Sequence, residues 1–101
     1  MTTQRQPVFL DALQKYDSEF YKVVSAVREK AQARGALDAK TKTLISLALD
    51  TAAGASQGVK NLAGRARQLG ASEDEIREVM RLVYSNKGNQ ALAAAQSAFA
   101  E

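Results

Sequence analysis

The sequence predicts an all-α protein of about six helices, and three observations carry that expectation. The chain is rich in Ala, Leu, Gln, Glu, Lys and Arg and holds one proline. These residue types lose little freedom in a helix. Apolar residues recur at the spacing of a helical face, and no stretch of period-two alternation competes with them. Capping residues and glycines fall where such segments would start and stop. At 101 residues the length suits one domain, read here as residues 1–101.

Each segment follows from local chemistry. Pro7 fits the first turn of a short helix running to about Tyr16, because its fixed φ suits that position. Asp17 is an N-cap candidate for a longer helix. Phe20, Val23, Val24, Val27 and Ala31 trace one face of that helix, and Gly35 suits a left-handed stop. Asp38 caps a third helix, Ala39 to about Ala53. Leu44, Ile45, Leu47, Ala48, Leu49 and Ala52 cover most of its circumference, which predicts a central, buried helix.

The polar stripe of that third helix is Thr43, Ser46 and Asp50. It is either a solvated face or the lining of a small pocket. A fourth helix, about Ser56 to Leu69, turns Val59, Leu62, Ala63, Ala66 and Leu69 inward. Gly70 ends it. Ser72 and Glu75 have capping-box spacing, and Glu73, Asp74 and Glu75 suit the positive end of the next helix. That fifth helix buries Ile76, Val79, Met80 and Val83. "SNKGNQ", Ser85 to Gln90, is expected to break it. A last, alanine-rich helix then runs from about Gln90 to Ala100, anchored by Leu92 and Phe99.

Composition excludes much chemistry. The chain has no cysteine and no histidine. Thiol redox chemistry, Cys–His and Ser–His nucleophilic catalysis, haem ligation by histidine and the usual zinc and iron–sulfur sites are therefore out of reach. No metal and no cofactor are expected. Formal net charge is +3 and the pI about 9.4, which permits an anionic partner without requiring one. No stretch reaches the roughly 18 apolar residues of a membrane span. The N-terminal MTTQRQPVFLDAL lacks the apolar run of a secretion signal. A cytoplasmic protein without membrane association is the expectation.

"GALDAKTKTLISLALDTAAG", a helix, and then "LGASEDEIREVMRLV" resemble the carboxymuconolactone decarboxylase superfamily, which includes the alkylhydroperoxidase D-like proteins. Asp38, Lys40, Thr41, Lys42 and Leu44 match the family's entry to its central helix. Gly70, Ala71, Ser72, Glu75 and Ile76 match the turn after its active-site helix. The resemblance spans Gly35 to about Ala95 and implies an orthogonal helical bundle. It also implies assembly into a homotrimer or a homohexamer.

The same resemblance marks four vestigial active-site positions. The redox branch uses a Glu, a Cys-x-x-Cys and a His placed four residues beyond the second Cys. Here the Glu place is Thr43, the two Cys places are Ala55 and Gly58, and the His place is Leu62. None can supply a thiolate or shuttle a proton. The decarboxylase branch also relies on a His on this helix. No catalytic residue is assigned, and the chain is read as a degenerate member.

Ser46, Asp50, Ser56 and Gln57 are the candidate ligand-pocket residues. Ser56 and Gln57 offer hydrogen bonds in place of the lost cysteines, although Ser56 is also a plain N-cap candidate. Leu62 sits on the apolar stripe with Val59 and Ala66 and reads equally as core. The leading reading is a non-catalytic homo-oligomer, structural or binding an unidentified small molecule. The alternative is an enzyme using Asp50 or a tyrosine (Tyr16, Tyr21, Tyr84) as acid–base group. A helix-turn-helix DNA binder is a minor alternative. It would aim Glu73, Asp74 and Glu75 at phosphate-lined DNA, which disfavours nucleic acid as a partner.

Overall fold

The computed structural model describes residues 6–100. Among these residues there are five α-helices and one 3-10 turn, with no strand: α1 Val8–Tyr16, α2 Ser18–Gln32, α3 Ala39–Ala53, α4 Ser56–Gln68, α5 Glu73–Ala95 and the turn Gln96–Ala98. The chain divides into two compact units, one up to Gly35 and one from Ala36 onward.

The first unit is a helical hairpin. Pro7 precedes α1 as its N-cap, and its carbonyl accepts from the Leu10 N–H at 2.9 Å. Asp17 ends α1 and starts α2, and its carboxylate accepts from the Phe20 N–H at 3.1 Å. Tyr21 Oη donates to Gln6 Oε1 at 2.6 Å. Gln6 Nε2 in turn donates to Asp11 Oδ1 at 2.7 Å. Leu10 and Leu13 are buried, while α2 buries none of its residues. Of the apolar face predicted for α2, Phe20, Val23, Val27 and Ala31 are exposed and Val24 is half-buried. Gly35 does not provide the expected left-handed stop. Only Gly54 and Gly70 have positive φ among the described residues, and α2 ends at Ala33 in extended conformation.

The second unit is built around α3, which packs on both α4 and α5. Asp38 caps α3 by accepting the Thr41 N–H at 2.7 Å. Gly54, at φ 73°, closes it, in the left-handed region that glycine enters without a Cβ penalty. Gly70 does the same after α4, at φ 96°. Leu47, Ala66, Ala71 and Ile76 form the buried apolar core of this unit, with the side chain of Thr43 among the buried groups. α3 is central, yet its apolar circumference is only partly covered: Ile45 and Leu49 stay exposed, Leu49 at 66%.

α5 corrects the expected break. It runs unbroken for 23 residues, a rise of about 34 Å. Gly88 lowers helix propensity by about 1 kcal/mol relative to Ala, but it forces no turn. Asn86 turns its side chain back onto its own helix, donating to the Leu82 carbonyl at 2.8 Å. The predicted separate last helix is therefore the continuation of α5 plus the turn Gln96–Ala98.

Candidate functional site

The polar stripe of α3 is turned toward the fold. Thr43 is buried, and Ser46 and Asp50 are half-buried. Thr43 Oγ1 donates to the Ala39 carbonyl at 2.8 Å, so its hydroxyl is spent within its own helix. On the α4 side, Ala55, Ser56 and Gln57 are exposed, while Gly58 and Leu62 are half-buried. Ser56 is the first residue of α4 and not its cap. Ala55 holds the N-cap position, with no side-chain capping bond. Gln57 Nε2 donates along the helix to Asn61 Oδ1 at 3.1 Å.

Asp50 and Gly58 are the pair that the fold brings together. A Cβ added to Gly58 would collide with the Asp50 Oδ2 atom, and would lie 3.0 Å from Cγ and 3.6 Å from Cβ of Asp50. The carboxylate therefore takes the space of a side chain at position 58. Tyr16 and Tyr84 are exposed, and Tyr21 is engaged with Gln6 in the first unit. Among the described residues, no group of three or more Asp or Glu is placed to hold a metal ion.

The sequence motifs meet at a different place. Lys40, from the entry to α3, reaches Glu75 on α5, with Nζ 3.1 Å from Oε2. The same carboxylate accepts the Ser72 N–H at 2.9 Å, and the Ser72 hydroxyl accepts the Glu75 N–H at 3.0 Å. The capping box is thus complete. The Ser72 N–H, then Lys40, hold the Glu75 carboxyl below its ordinary range. Asp38 is lowered chiefly by the Thr41 N–H. This cluster organises helix starts and carries no reactive group. Capping spacing made Ser72 and Glu75 legible, whereas the Lys40 contact spans 35 residues and has no local signal.

The turn into α5 is also charge-clamped. Arg67 grips Glu73 with both arms of its guanidinium, Nε to Oε2 at 2.7 Å and Nη2 to Oε1 at 3.0 Å. The hydrogen bond with Arg67 is the main cause that lowers the Glu73 carboxyl, and it raises the Arg67 guanidinium. Arg77 pairs with Asp74 at 2.8 Å. The helix start that would enter a DNA groove therefore presents carboxylates already paired to arginines.

The sequence profile of the carboxymuconolactone decarboxylase family matches residues 18–101. The chain belongs to the carboxymuconolactone decarboxylase family. An uncharacterized protein of Methanocaldococcus jannaschii is 29% identical over 79 residues, covering 78% of this chain and 74% of the relative. Membership fits the all-α architecture. Of the motif residues that carried the resemblance, Lys40, Ser72 and Glu75 form the α3–α5 cluster in this carboxymuconolactone decarboxylase-like fold. No helix among the described residues is long and apolar enough to cross a membrane.

Proposed function

We propose that this member of the carboxymuconolactone decarboxylase family is a non-catalytic homo-oligomer without thiol peroxidase activity. It serves a structural role or holds a small ligand, as a single domain of the cytoplasm. The observation that carries this reading is the state of the vestigial site. Thr43, Ala55, Gly58 and Leu62 offer no thiol, imidazole or carboxylate, and Asp50 fills the space beside Gly58. A proton relay to a nucleophile lacks its thiol and its imidazole there, and Asp50 is a carboxylate with no such partner among these four positions.

Assembly is supported by the apolar surface that the second unit leaves open. Ile45 and Leu49 on α3, and Leu82 and Leu92 on α5, are exposed, with Leu92 at 67%. A short chain without disulfides gains most by burying such surface against its own copies. Closed symmetry would leave none of it to drive aggregation. A homotrimer or homohexamer is the expected form.

Two measurements test the reading. Light scattering across the eluting peak of a sizing column, at low micromolar protein, should give a mass of three or six chains. A stable monomer with a sharp cooperative melt would refute assembly. Peroxide consumption with a dithiol donor, in metal-free buffer, should match the protein-free blank. Turnover clearly above that blank would refute the non-peroxidase assignment.

A further inference from the structure

α2 is covered on one side. α1 packs against it, and its half-buried residues, Tyr21, Val24 and Ser25, mark that side. Beside them runs a stripe of Phe20, Val23 and Val27, each more than half exposed. The spacing i, i+3, i+7 is that of a helix-pairing seam. A row of large apolar side chains facing water calls for a cover.

The charges next to the stripe identify the cover. Glu19 stands in the first turn of α2 and Lys30 in the last. They are 11 residues apart. At 3.6 residues per turn, that separation sets them within about 20° of each other around the axis and about 16 Å apart along it. Both lie on the flank of the stripe away from α1, and both are exposed. Among the described residues, neither belongs to an ion pair. By the same geometry Lys22 and Glu29 turn to the back of the helix and Arg28 to the α1 side.

In an antiparallel pair related by a two-fold axis, each flank meets the same flank of the partner, run in reverse. The free flank of α2 is acidic at its start and basic at its end. Reversal therefore sets Glu19 against the partner's Lys30, and Lys30 against the partner's Glu19. The axis that does this passes between Val24 and Ser25. The axis that lays Phe20 on the partner's Val27 lies one residue away, a shift of about 1.5 Å that a lysine side chain absorbs. One two-fold axis thus serves both the charges and the seam.

We propose that α2 is a self-complementary docking helix whose occupant is α2 of a second copy, paired antiparallel. Phe20, Val23 and Val27 form the seam, and two Glu19–Lys30 pairs close its open edge. This contact presupposes the self-assembly proposed above and selects within it. A two-fold contact builds even-numbered closed assemblies, so of three and six chains it requires six.

The test is mass by light scattering on the full-length protein at low micromolar concentration, with far-ultraviolet circular dichroism to check folding. The parent should weigh six chains. Glu19→Lys and Lys30→Glu each set like charges across the contact, and each should halve the mass to three chains. The two together exchange the charges and should return the mass to six. Helix stability alone predicts the opposite order, because both reversals oppose the helix dipole and their costs add in the double variant. Phe20→Ser removes the largest residue of the seam and should also give three chains. If a reversal does not fold, Glu19→Gln and Lys30→Gln carry the comparison, each with a six-chain form that falls apart at a higher concentration than the parent's.

A parent of three chains, six chains in every variant, or a double variant no better assembled than the single ones overturns the α2 contact and leaves assembly standing. A parent monomer overturns both. A lower melting midpoint in Phe20→Ser with the mass unchanged shows the stripe to be covered within its own chain, and overturns the contact as well.

Discussion

Leu47 and Leu62 face each other as alternatives for where the second unit keeps its stability. Leu47 is wholly buried on α3, whereas Leu62, at the vestigial imidazole position, is half-buried on α4. Truncating Leu to Ala removes about three carbons, worth about 0.8 kcal/mol each when fully buried, or about 2.4 kcal/mol in transfer alone. A residual cavity in a site that collapses only in part lifts the total to about 3–4 kcal/mol, and Leu47 is fully buried on a helix that packs on both α4 and α5. At Leu62 part of the side chain already meets water, so both contributions shrink, to about 1–2 kcal/mol. Urea unfolding followed by far-ultraviolet circular dichroism, at one protein concentration, measures both. With an m-value of about 1 kcal/mol/M for a chain this size, Leu47→Ala should lose about 3 M in midpoint and Leu62→Ala about half as much. Equal losses, or a larger loss at Leu62, would refute the core described for this unit.

Three further outcomes are expected. Glu75, Glu73 and Asp38 all titrate below their ordinary range in the folded chain, so their contribution to stability is complete above the ordinary carboxylate range and is lost as pH falls through the lowered folded values; a melting midpoint that rises on acidification through that window would contradict this. Ser72→Ala removes the hydroxyl that accepts the Glu75 N–H and should cost about 1 kcal/mol, read as a lower urea midpoint, with no change expected only if the capping box is absent in solution. Gly88→Ala should keep or raise the helical dichroism signal, because α5 is continuous there and an added Cβ meets nothing within 4 Å; a drop in that signal would restore the break at Ser85–Gln90.

What was legible in the sequence was local. Asp17, Asp38 and Ser72 each act on an N–H three residues away, and a capping side chain needs nothing from the rest of the fold. The punctuation of α5 misled for the complementary reason. Serine, asparagine and glycine between Ser85 and Gln90 each cost a helix only tenths of a kcal/mol up to about 1 kcal/mol, and a helix already nucleated over the preceding turns carries them. The stripe Thr43, Ser46, Asp50 was visible as a stripe. Its direction depended on where α4 packs, and the meeting of Asp50 with Gly58 depended on the corner between the two helices. Burial was the least legible of all: periodicity marks a face as apolar and is silent on whether that face is covered within one chain, as Phe20, Val27 and Leu49 show.

Glu75 serves two parts of the chain with one carboxylate. Oε1 accepts the N–H at the mouth of α5, and both oxygens accept from the lysine at the mouth of α3, Oε2 at the shorter distance. The first turns of two helices that are far apart in sequence therefore share a single latch. When that latch opens, both turns lose a restraint at the same instant, so their amides should exchange with solvent deuterium as one cooperative group. α4 lies between them in the chain and is tied to neither through this carboxylate, so its amides are free to report a separate opening. The order of the chain and the order in which it comes apart need not agree, and here one carboxylate sets the difference.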